Sequence, residues 1–145
     1  MIQLPKKAFY AVEAVLYIAY NGANGRITSK EIAEKQNMPP RYLEQIMQRL
    51  VRKGILKGVR GPHGGYLLAR EKRRVTLADV YRAVGEDDEI PSSTPLGNKI
   101  ISPIIKDLQE KIVKQMEEVS INDLYQQASS KSVRKAADEK NDFAI

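Results

Sequence analysis

Residues 59 to 70, VRGPHGGYLLAR, bring together glycines, a proline and two arginines within a dozen positions. A flexible backbone beside positive charge suits two chemistries. One is a loop whose amides cradle the phosphates of a nucleotide. The other is the tip of a β-hairpin that comes close to a nucleic-acid backbone. An ordinary hairpin with surface arginines is the third interpretation.

The residues that follow the glycines argue against a nucleotide-binding loop. Such a loop opens a helix, whereas Tyr66, Leu67 and Leu68 form a short apolar run typical of a strand. The stretch also lacks both the Lys-Ser/Thr pair of a P-loop and the G-x-G-x-x-G spacing. The pattern therefore favours a hairpin.

Helical patterns surround this hairpin. In the first helix we expect an inward stripe of Phe9, Val12, Leu16 and Ala19, which Val15 and Ile18 widen. Thr28 and Glu31 predict a capping box at the start of the second helix, and Thr76 and Asp79 repeat the pattern within VTLADV. The spacing of apolar residues predicts helices over 6–20, 29–36 and 40–53, strands over 55–59 and 66–69, and a fourth short helix that begins at VTLADV.

This order of elements is that of a winged helix-turn-helix, in which the second helix of the motif enters the major groove and the hairpin is the wing. Arginines are expected to contact phosphates; Glu44 could accept from a cytosine amine and Gln45 could read adenine, unless both are plain surface residues. Tyr42 could touch the DNA backbone or pack. The candidate DNA-binding residues are Thr28, Ser29, Arg41, Tyr42, Glu44, Gln45, Gln48, Arg49, Arg52, Arg60, His63, Gly64 and Gly65.

The charge distribution agrees with a polyanionic partner. The net charge is +6, but residues 1–74 carry +10 and residues 75–145 carry −4. Two hypotheses remain: a module that binds double-stranded DNA, for which phosphate contacts supply much of the affinity, and a winged-helix protein-interaction module that docks an acidic protein partner.

Missing residue types exclude other functions. The chain has no cysteine and one histidine, so disulfides, thiolate metal sites and a cysteine nucleophile are excluded. His63 is expected to contact DNA or solvent rather than a metal. The run EDDE at 86–89 is a solvated loop or, less simply, a cation site. Tyr10, Tyr17 and Tyr20 are expected in the core and interface rather than in an effector pocket. We predict that the protein is not an enzyme.

The whole sequence predicts four segments. They are a winged helix-turn-helix domain at 1–84, a loop or linker at 85–101, a long helix and a short following helix at 102–128, and a flexible charged tail at 129–145. The fold class is mainly α with a small β-hairpin. The long helix begins at Ser102-Pro103 and runs to about Val119, and Ser120 and Asp123 start the short one.

The stretch RYLEQIMQRLVRKGILKGVRGPHGGYLL resembles the signature of the Rrf-two family of bacterial transcription regulators, and AFYAVEAVLYIA and VTLADVYRAV also fit. The resemblance covers roughly residues 1 to 125. It implies a sequence-specific DNA-binding regulator, a repressor, that binds a pseudo-palindromic operator as a homodimer. The long helix would pair with its partner and serve as a dimerisation helix. Its expected interface residues are Ile101, Ile105, Leu108, Ile112, Met116 and Val119.

One departure from the family pattern bears on cofactors. Many members bind an iron–sulfur cluster through three cysteines in the loop before the long helix, and this loop, EDDEIPSSTPLGNK, has none. We therefore expect no cofactor. An effector, either a small molecule or a protein, is possible, and its chemistry is unknown.

The N-terminus has some features of a targeting signal. Lys6 and Lys7 before an apolar run mimic a signal peptide, but Glu13 interrupts the run. No stretch is apolar over the ~18 residues of a membrane span, so a cytoplasmic location without membrane contact is expected.

Overall fold

The computed structural model describes residues 4–62, 64–85 and 92–138. The first helix, α1 (Lys6–Asn21), packs against three other helices and lies at the centre of the fold. Its buried face is rich in alanine and includes Ala8, Ala11 and Ala14. The expected inward stripe is wrong at Phe9, which is 65% exposed. The small alanine side chains let neighbouring helices approach closely. The alanines therefore face the core, and Phe9 faces outward.

The helix-turn-helix motif follows. Helix α2 (Ser29–Lys35) and helix α3 (Pro40–Arg52) are joined by a tight turn in which Asn37 has φ +53°, a left-handed conformation that asparagine tolerates. Thr28 caps α2, because its Oγ1 accepts from the amide of Glu31 at 3.1 Å. The predicted capping box is only half formed: the Glu31 carboxylate accepts from the Tyr17 hydroxyl instead.

The hairpin consists of β1 (Leu56–Val59) and β2 (Gly65–Leu68), paired antiparallel with Leu56 opposite Leu68 and Val59 opposite Gly65. Ile27, just before α2, forms a further bridge with Tyr66. The Ile27 amide donates to the Tyr66 carbonyl at 3.1 Å, and the Tyr66 amide donates to Ile27 at 2.7 Å. The hairpin is thus fixed to the helix-turn-helix by backbone hydrogen bonds.

Three more helices complete the fold: α4 (Leu77–Val84), α5 (Ser102–Glu117) and α6 (Ile121–Ser130). Helices α4 and α6 each begin with a complete capping box, Thr76 with Asp79 and Ser120 with Asp123, as the sequence predicts. The two capping residues, Thr76 and Ser120, also form a β-bridge with each other. Helices α4 and α6 therefore start side by side.

The expected loop or linker at 85–101 is wrong over its last part. A π-helical turn, Leu96–Ile101, runs directly into α5. Thr94 starts it, since its Oγ1 accepts from the Gly97 amide at 3.2 Å, and Pro95 suits a first turn. The run EDDE lies outside the described residues, so the expectation of a solvated loop or cation site there is untested.

The expected flexible tail from Ser129 also differs from the structure. Helix α6 continues to Ser130, and residues 131–138 lie against α1. The Tyr20 hydroxyl donates to the Val133 carbonyl, and the Ala136 amide donates to Asn21 Oδ1 at 2.8 Å. Side chains of α1 thus supply the polar partners that a charged segment needs to be ordered. Residues 139–145 lie outside the described part.

The apolar core joins α1, α2, α3, α4, the hairpin and α6, and its fully buried members include Ile32, Ile46, Leu50, Val80 and Ile121. Among the described residues, no polar or charged side chain is buried. In the same part of the chain, none of the helices has the length and hydrophobicity needed to traverse a bilayer.

Candidate nucleic-acid interface

Helix α3 presents one continuous polar face. Its side chains at steps of three, one, three and four residues are all exposed, and helical geometry places them on the same side. They are Arg41, Glu44, Gln45, Gln48 and Arg52. The opposite face is buried at 1% exposure or less and consists of Leu43, Ile46, Met47 and Leu50. The core therefore fixes which side chains α3 turns outward.

Two of the predicted contacts on α3 lie at the side of this face. Arg49 is half-buried, and its Nη1 donates to the Val84 carbonyl at the end of α4, at 3.2 Å. Tyr42 packs its ring edge-on against Tyr10, with 5.8 Å between the ring centroids. The structure thus gives Arg49 and Tyr42 contacts within the protein and does not group them with the five outward residues.

The start of α2 carries the other predicted helical contacts. Thr28 is exposed, but its hydroxyl oxygen already caps the helix. Ser29 is half-buried. Both stand at a helix N-terminus, where backbone amides point outward and favour an anion such as a phosphate.

The hairpin tip places Arg60 in solvent. Gly61, the next residue, has φ +114°, a conformation that strongly favours glycine. The Gly64 amide donates to the Gly61 carbonyl at 2.8 Å and closes the turn. Arg60 is exposed at the base of this turn, so its long side chain can reach beyond the hairpin. His63 lies outside the described residues.

The glycines predicted to approach DNA have a reason within the protein as well. A Cβ on Gly65 would stand 2.8 Å from the Ile27 carbonyl oxygen, and one on Gly64 would stand 2.5 Å from that of Val59. Both distances are shorter than any real contact of a Cβ atom. The glycines therefore allow the hairpin to close and to pack on Ile27.

Glu44 stands on the side of α3 that faces the hairpin. Burial raises the pKa of the Tyr66 hydroxyl, and the negative charge of Glu44 raises it further, because ionised phenolate would be both desolvated and repelled. A carboxylate at this place repels the phosphates of DNA but can accept from a cytosine amine. The charge of Glu44 on α3 therefore acts on Tyr66 of the hairpin.

Two basic residues on this side of the molecule were not among the sequence candidates. Arg26 and Lys57 are both exposed. Arg26 precedes the Ile27 bridge, and its Cβ lies close to Gly65; Lys57 lies in β1. Lys57 could have been proposed from the sequence, because it lies in a predicted strand of the hairpin. Arg26 could not, because only the bridge between Ile27 and Tyr66 brings it to the hairpin.

Comparison with known families gives this arrangement a context. The model of the Rrf2 family, described as an iron-dependent transcriptional regulator, matches residues 4–127. The chain belongs to the Rrf2 family. This confirms the resemblance seen in the sequence, and it makes the protein a DNA-binding transcription regulator and not an enzyme.

Individual relatives agree with this assignment. The Rrf2 regulator is 32% identical over 131 residues to the HTH-type transcriptional regulator IscR of Xenorhabdus nematophila, covering 85% of this chain and 79% of that protein. It is 39% identical over 85 residues to IscR of Cronobacter sakazakii, but that match covers 59% of this chain and only 52% of the relative. The chain thus spans about half the length of several of its curated relatives.

Solved structures show the same fold. The structure titled T. potens IscR superposes with a TM-score of 0.74 at 26% identity, covering 94% of this chain and 95% of the other. CymR of B. subtilis, titled the global cysteine regulator, superposes with a TM-score of 0.66 at 24% identity, covering 88% and 98%. The predicted winged-helix fold, mainly α with a small hairpin, is confirmed.

The residues of this Rrf2 regulator do not fit an iron–sulfur cluster. Such clusters are held by cysteine thiolates, and the chain contains no cysteine. Across 4–62, 64–85 and 92–138, no three His, Asp or Glu side chains converge as a metal site would require. The iron dependence in the family description is therefore not transferred to this chain.

Proposed function

We propose that this Rrf2 regulator represses transcription by binding a pseudo-palindromic operator as a homodimer. The observation that supports this most directly is the single outward face of α3, from Arg41 to Arg52, beside a hairpin that holds Arg60 in solvent. In the proposal α3 lies in the major groove, where Gln45 and Gln48 read bases and the flanking arginines hold phosphates. Arg60 enters the neighbouring minor groove.

The remaining predicted contacts take supporting roles in this proposal. Thr28 and Ser29 bring the N-terminus of α2 to a phosphate, and Arg26 and Lys57 add charge on the hairpin side. Gly64 and Gly65 lie next to the sugar-phosphate backbone in this proposal, and His63, which is outside the described residues, stays a predicted DNA contact. Because Arg49 donates to Val84 and Tyr42 packs on Tyr10, we give these two no direct part in base recognition.

The proposed dimer rests on an exposed apolar face. Six large apolar side chains in and just before α5 are between 37% and 72% exposed: Leu96, Ile100, Ile101, Ile104, Leu108 and Ile112. Contiguous exposed apolar surface marks interaction sites in globular proteins. Two expected interface residues are corrected, since Met116 is 7% exposed and Val119 is half-buried inside the protomer. Ile105 is half-buried, whereas Ile104, which was not among the expected residues, is 59% exposed and joins the proposed face.

The proposal includes no cofactor. With no thiolate in the chain, a signal other than the state of a cluster controls the regulator. The purified protein should be colourless, and anaerobic reconstitution with iron and sulfide should add no visible absorbance. Stoichiometric iron and sulfide after desalting would overturn this part of the proposal.

Selection of bound sequences from a random pool of double-stranded DNA tests the function. We expect a recovered motif with two-fold symmetry, and a gel shift in which one dimer occupies it with far higher affinity than scrambled DNA. Transcription in vitro from a promoter that overlaps the motif should then fall when the protein is added. Recovery of no motif would favour the other hypothesis, a module that docks an acidic protein, and transcription that rises would make the protein an activator.

A further inference from the structure

A cavity of about 160 Å³ lies between α1, the end of α2 and the segment at the end of and after α6. Its lining mixes apolar, aromatic and charged side chains, including Glu13, Tyr17, Tyr20, Lys35, Ala128 and Arg134. The volume far exceeds the roughly 10–15 Å³ that one water needs. It is below the roughly 300 Å³ at which sites for drug-sized ligands begin, so it suits a small metabolite.

The walls of this cavity are held in place by hydrogen bonds. Tyr17 and Tyr20 are each 7% exposed. The Tyr17 hydroxyl donates to Glu31 on α2 at 2.9 Å, and the Tyr20 hydroxyl donates to the Val133 carbonyl. Asn21 donates from Nδ2 to the Tyr17 carbonyl at 3.1 Å and accepts from the Ala136 amide. Three separate parts of the chain are thus fixed around a preformed space.

Glu13 is the acidic group in this wall. It is half-buried, and among the described residues its carboxylate makes no hydrogen bond or ion pair. Burial raises the pKa of Glu13, because the ionised form loses hydration and gains no compensating partner. A ligand with a hydrogen-bond-donating cation would supply that partner.

Two cationic side chains line the same cavity from other elements. Lys35 belongs to the last turn of α2, and Arg134 belongs to the segment after α6; both are exposed and make polar contacts of their own. A purely anionic ligand would meet the Glu13 carboxylate, and a purely cationic ligand would meet Lys35 and Arg134. A small zwitterion, with an ammonium at one end and a carboxylate at the other, matches both.

We propose that this cavity binds a small zwitterion of the α-amino-acid type, with its ammonium group on Glu13, its carboxylate toward Lys35 and Arg134, and its body against Tyr17 and Tyr20. Tyr17 and Tyr20 are buried, as expected of core residues, and in this proposal they also form walls of the ligand site. Because α2 is also part of the DNA-binding surface, occupancy and operator affinity are linked. That link rests on the proposed function, whereas the site itself does not.

Thermal unfolding of the DNA-free protein with each proteinogenic L-amino acid in turn tests the site. At least one should raise Tm and bind in calorimetry. Two analogues of that amino acid serve as controls: the amine without the carboxylate and the acid without the amine. Each should bind at least roughly tenfold more weakly, since each lacks one charge-assisted contact. Absence of any ligand-induced shift across the series would overturn the proposal.

Variants locate the site. Glu13→Gln should weaken binding of the amino acid by roughly tenfold or more. The control is Glu34→Gln, which should leave binding unchanged because Glu34 is exposed on α2 outside the cavity. Ala128→Leu should fill the space and abolish binding in a protein that still folds. Retained binding in either Glu13→Gln or Ala128→Leu contradicts the site. If the amino acid binds but leaves operator affinity unaltered, only the link to DNA is overturned. If no operator sequence is found but the amino acid still binds, the proposed function fails and the ligand site stands.

Discussion

The hydroxyl of Tyr17 donates to Oε2 of Glu31 at 2.9 Å, which joins the central helix α1 to the first helix of the helix-turn-helix. Glu31 would otherwise complete the capping box of α2 with Thr28. Its carboxylate gives that local contact up for one with a residue 14 positions earlier in the chain. The orientation of α2 against the core therefore depends on a side chain outside the motif.

Tyr17→Phe tests this relationship. It removes the hydroxyl and leaves the ring, so we expect a loss of about 1 kcal/mol in the free energy of unfolding, the net contribution of a typical hydrogen bond. Urea denaturation followed by circular dichroism measures it. Tyr10→Phe on the same helix is the control, since no described residue hydrogen-bonds to the Tyr10 hydroxyl. Equal stability of the two variants would remove any role for the Tyr17 hydroxyl.

Gly65→Ala should destabilise the hairpin at its root. Its Cβ would lie 2.8 Å from the Ile27 carbonyl oxygen, in the middle of the Ile27–Tyr66 bridge, so we expect a cost of about 1–3 kcal/mol, as for other steric overpacking. Gly58→Ala, in the opposite strand, is the matched control because its nearest contact is a Tyr66 ring carbon at 3.8 Å. Thermal unfolding compares them; a Gly65→Ala variant as stable as Gly58→Ala would contradict the packing argument.

Arg60→Ala should weaken operator binding by about 1–3 kcal/mol per half-site and flatten its dependence on salt, because a cation that displaces counterions is lost. Fluorescence anisotropy over a series of salt concentrations measures both. Arg73→Ala provides the comparison: Arg73 is exposed but lies beyond β2, on the far side of the strand from the turn. An affinity unchanged at every salt concentration would mean that the hairpin is not a DNA element.

Glu44→Ala should relax sequence preference without weakening DNA binding in general. Removing the carboxylate removes repulsion from phosphates, so non-specific affinity stays equal or rises, while preference for cytosine at one symmetric position per half-site falls. Affinities for operators varied at every position, measured at one salt concentration for both proteins, give the two profiles. Coincident profiles would mean that Glu44 reads no base and would leave base recognition to Gln45 and Gln48 alone.

Replacing Leu108 and Ile112 together with lysine should give monomers, because both side chains are exposed in the single chain and would bring charge into the proposed seam. Sedimentation velocity measures the mass, and circular dichroism checks that the helices persist. Glu110→Lys is the control, since Glu110 is two residues from each and faces the opposite side of α5. A double variant that sediments as an intact dimer would place the interface elsewhere.

Sequence patterns were sufficient where a local rule decides the structure. The polar face of α3, the hairpin and the capping boxes at Thr76 and Ser120 all follow from spacing over a few residues. Patterns failed where a distant contact decides. Arg49 is held by a carbonyl 35 residues away, and Tyr20 holds Val133 across 113 residues. Spacing along one helix contains no information about such partners.

The exposed Phe9 and the helical turn at Leu96 have different causes. In α1 the expected stripe fails only at Phe9, because Val15 and Ile18 are buried together with the alanines Ala8, Ala11 and Ala14 and turn Phe9 outward. At Leu96 a local signal existed, because Thr94 and Pro95 are a capping residue and a first-turn proline. The proline- and serine-rich composition around them concealed it.

The bridge between Thr76 and Ser120 has a consequence for how the chain folds. The Leu77 amide donates to the Val119 carbonyl at 2.9 Å, the Ile121 amide donates to Val75 at 2.8 Å, and Ile121 is fully buried in the same core as α1. A fragment that ends at residue 84 would lack Ile121 and would therefore leave part of its apolar core exposed to solvent. We therefore expect the DNA-reading part not to fold on its own, and we expect heating to unfold the whole molecule in one cooperative transition.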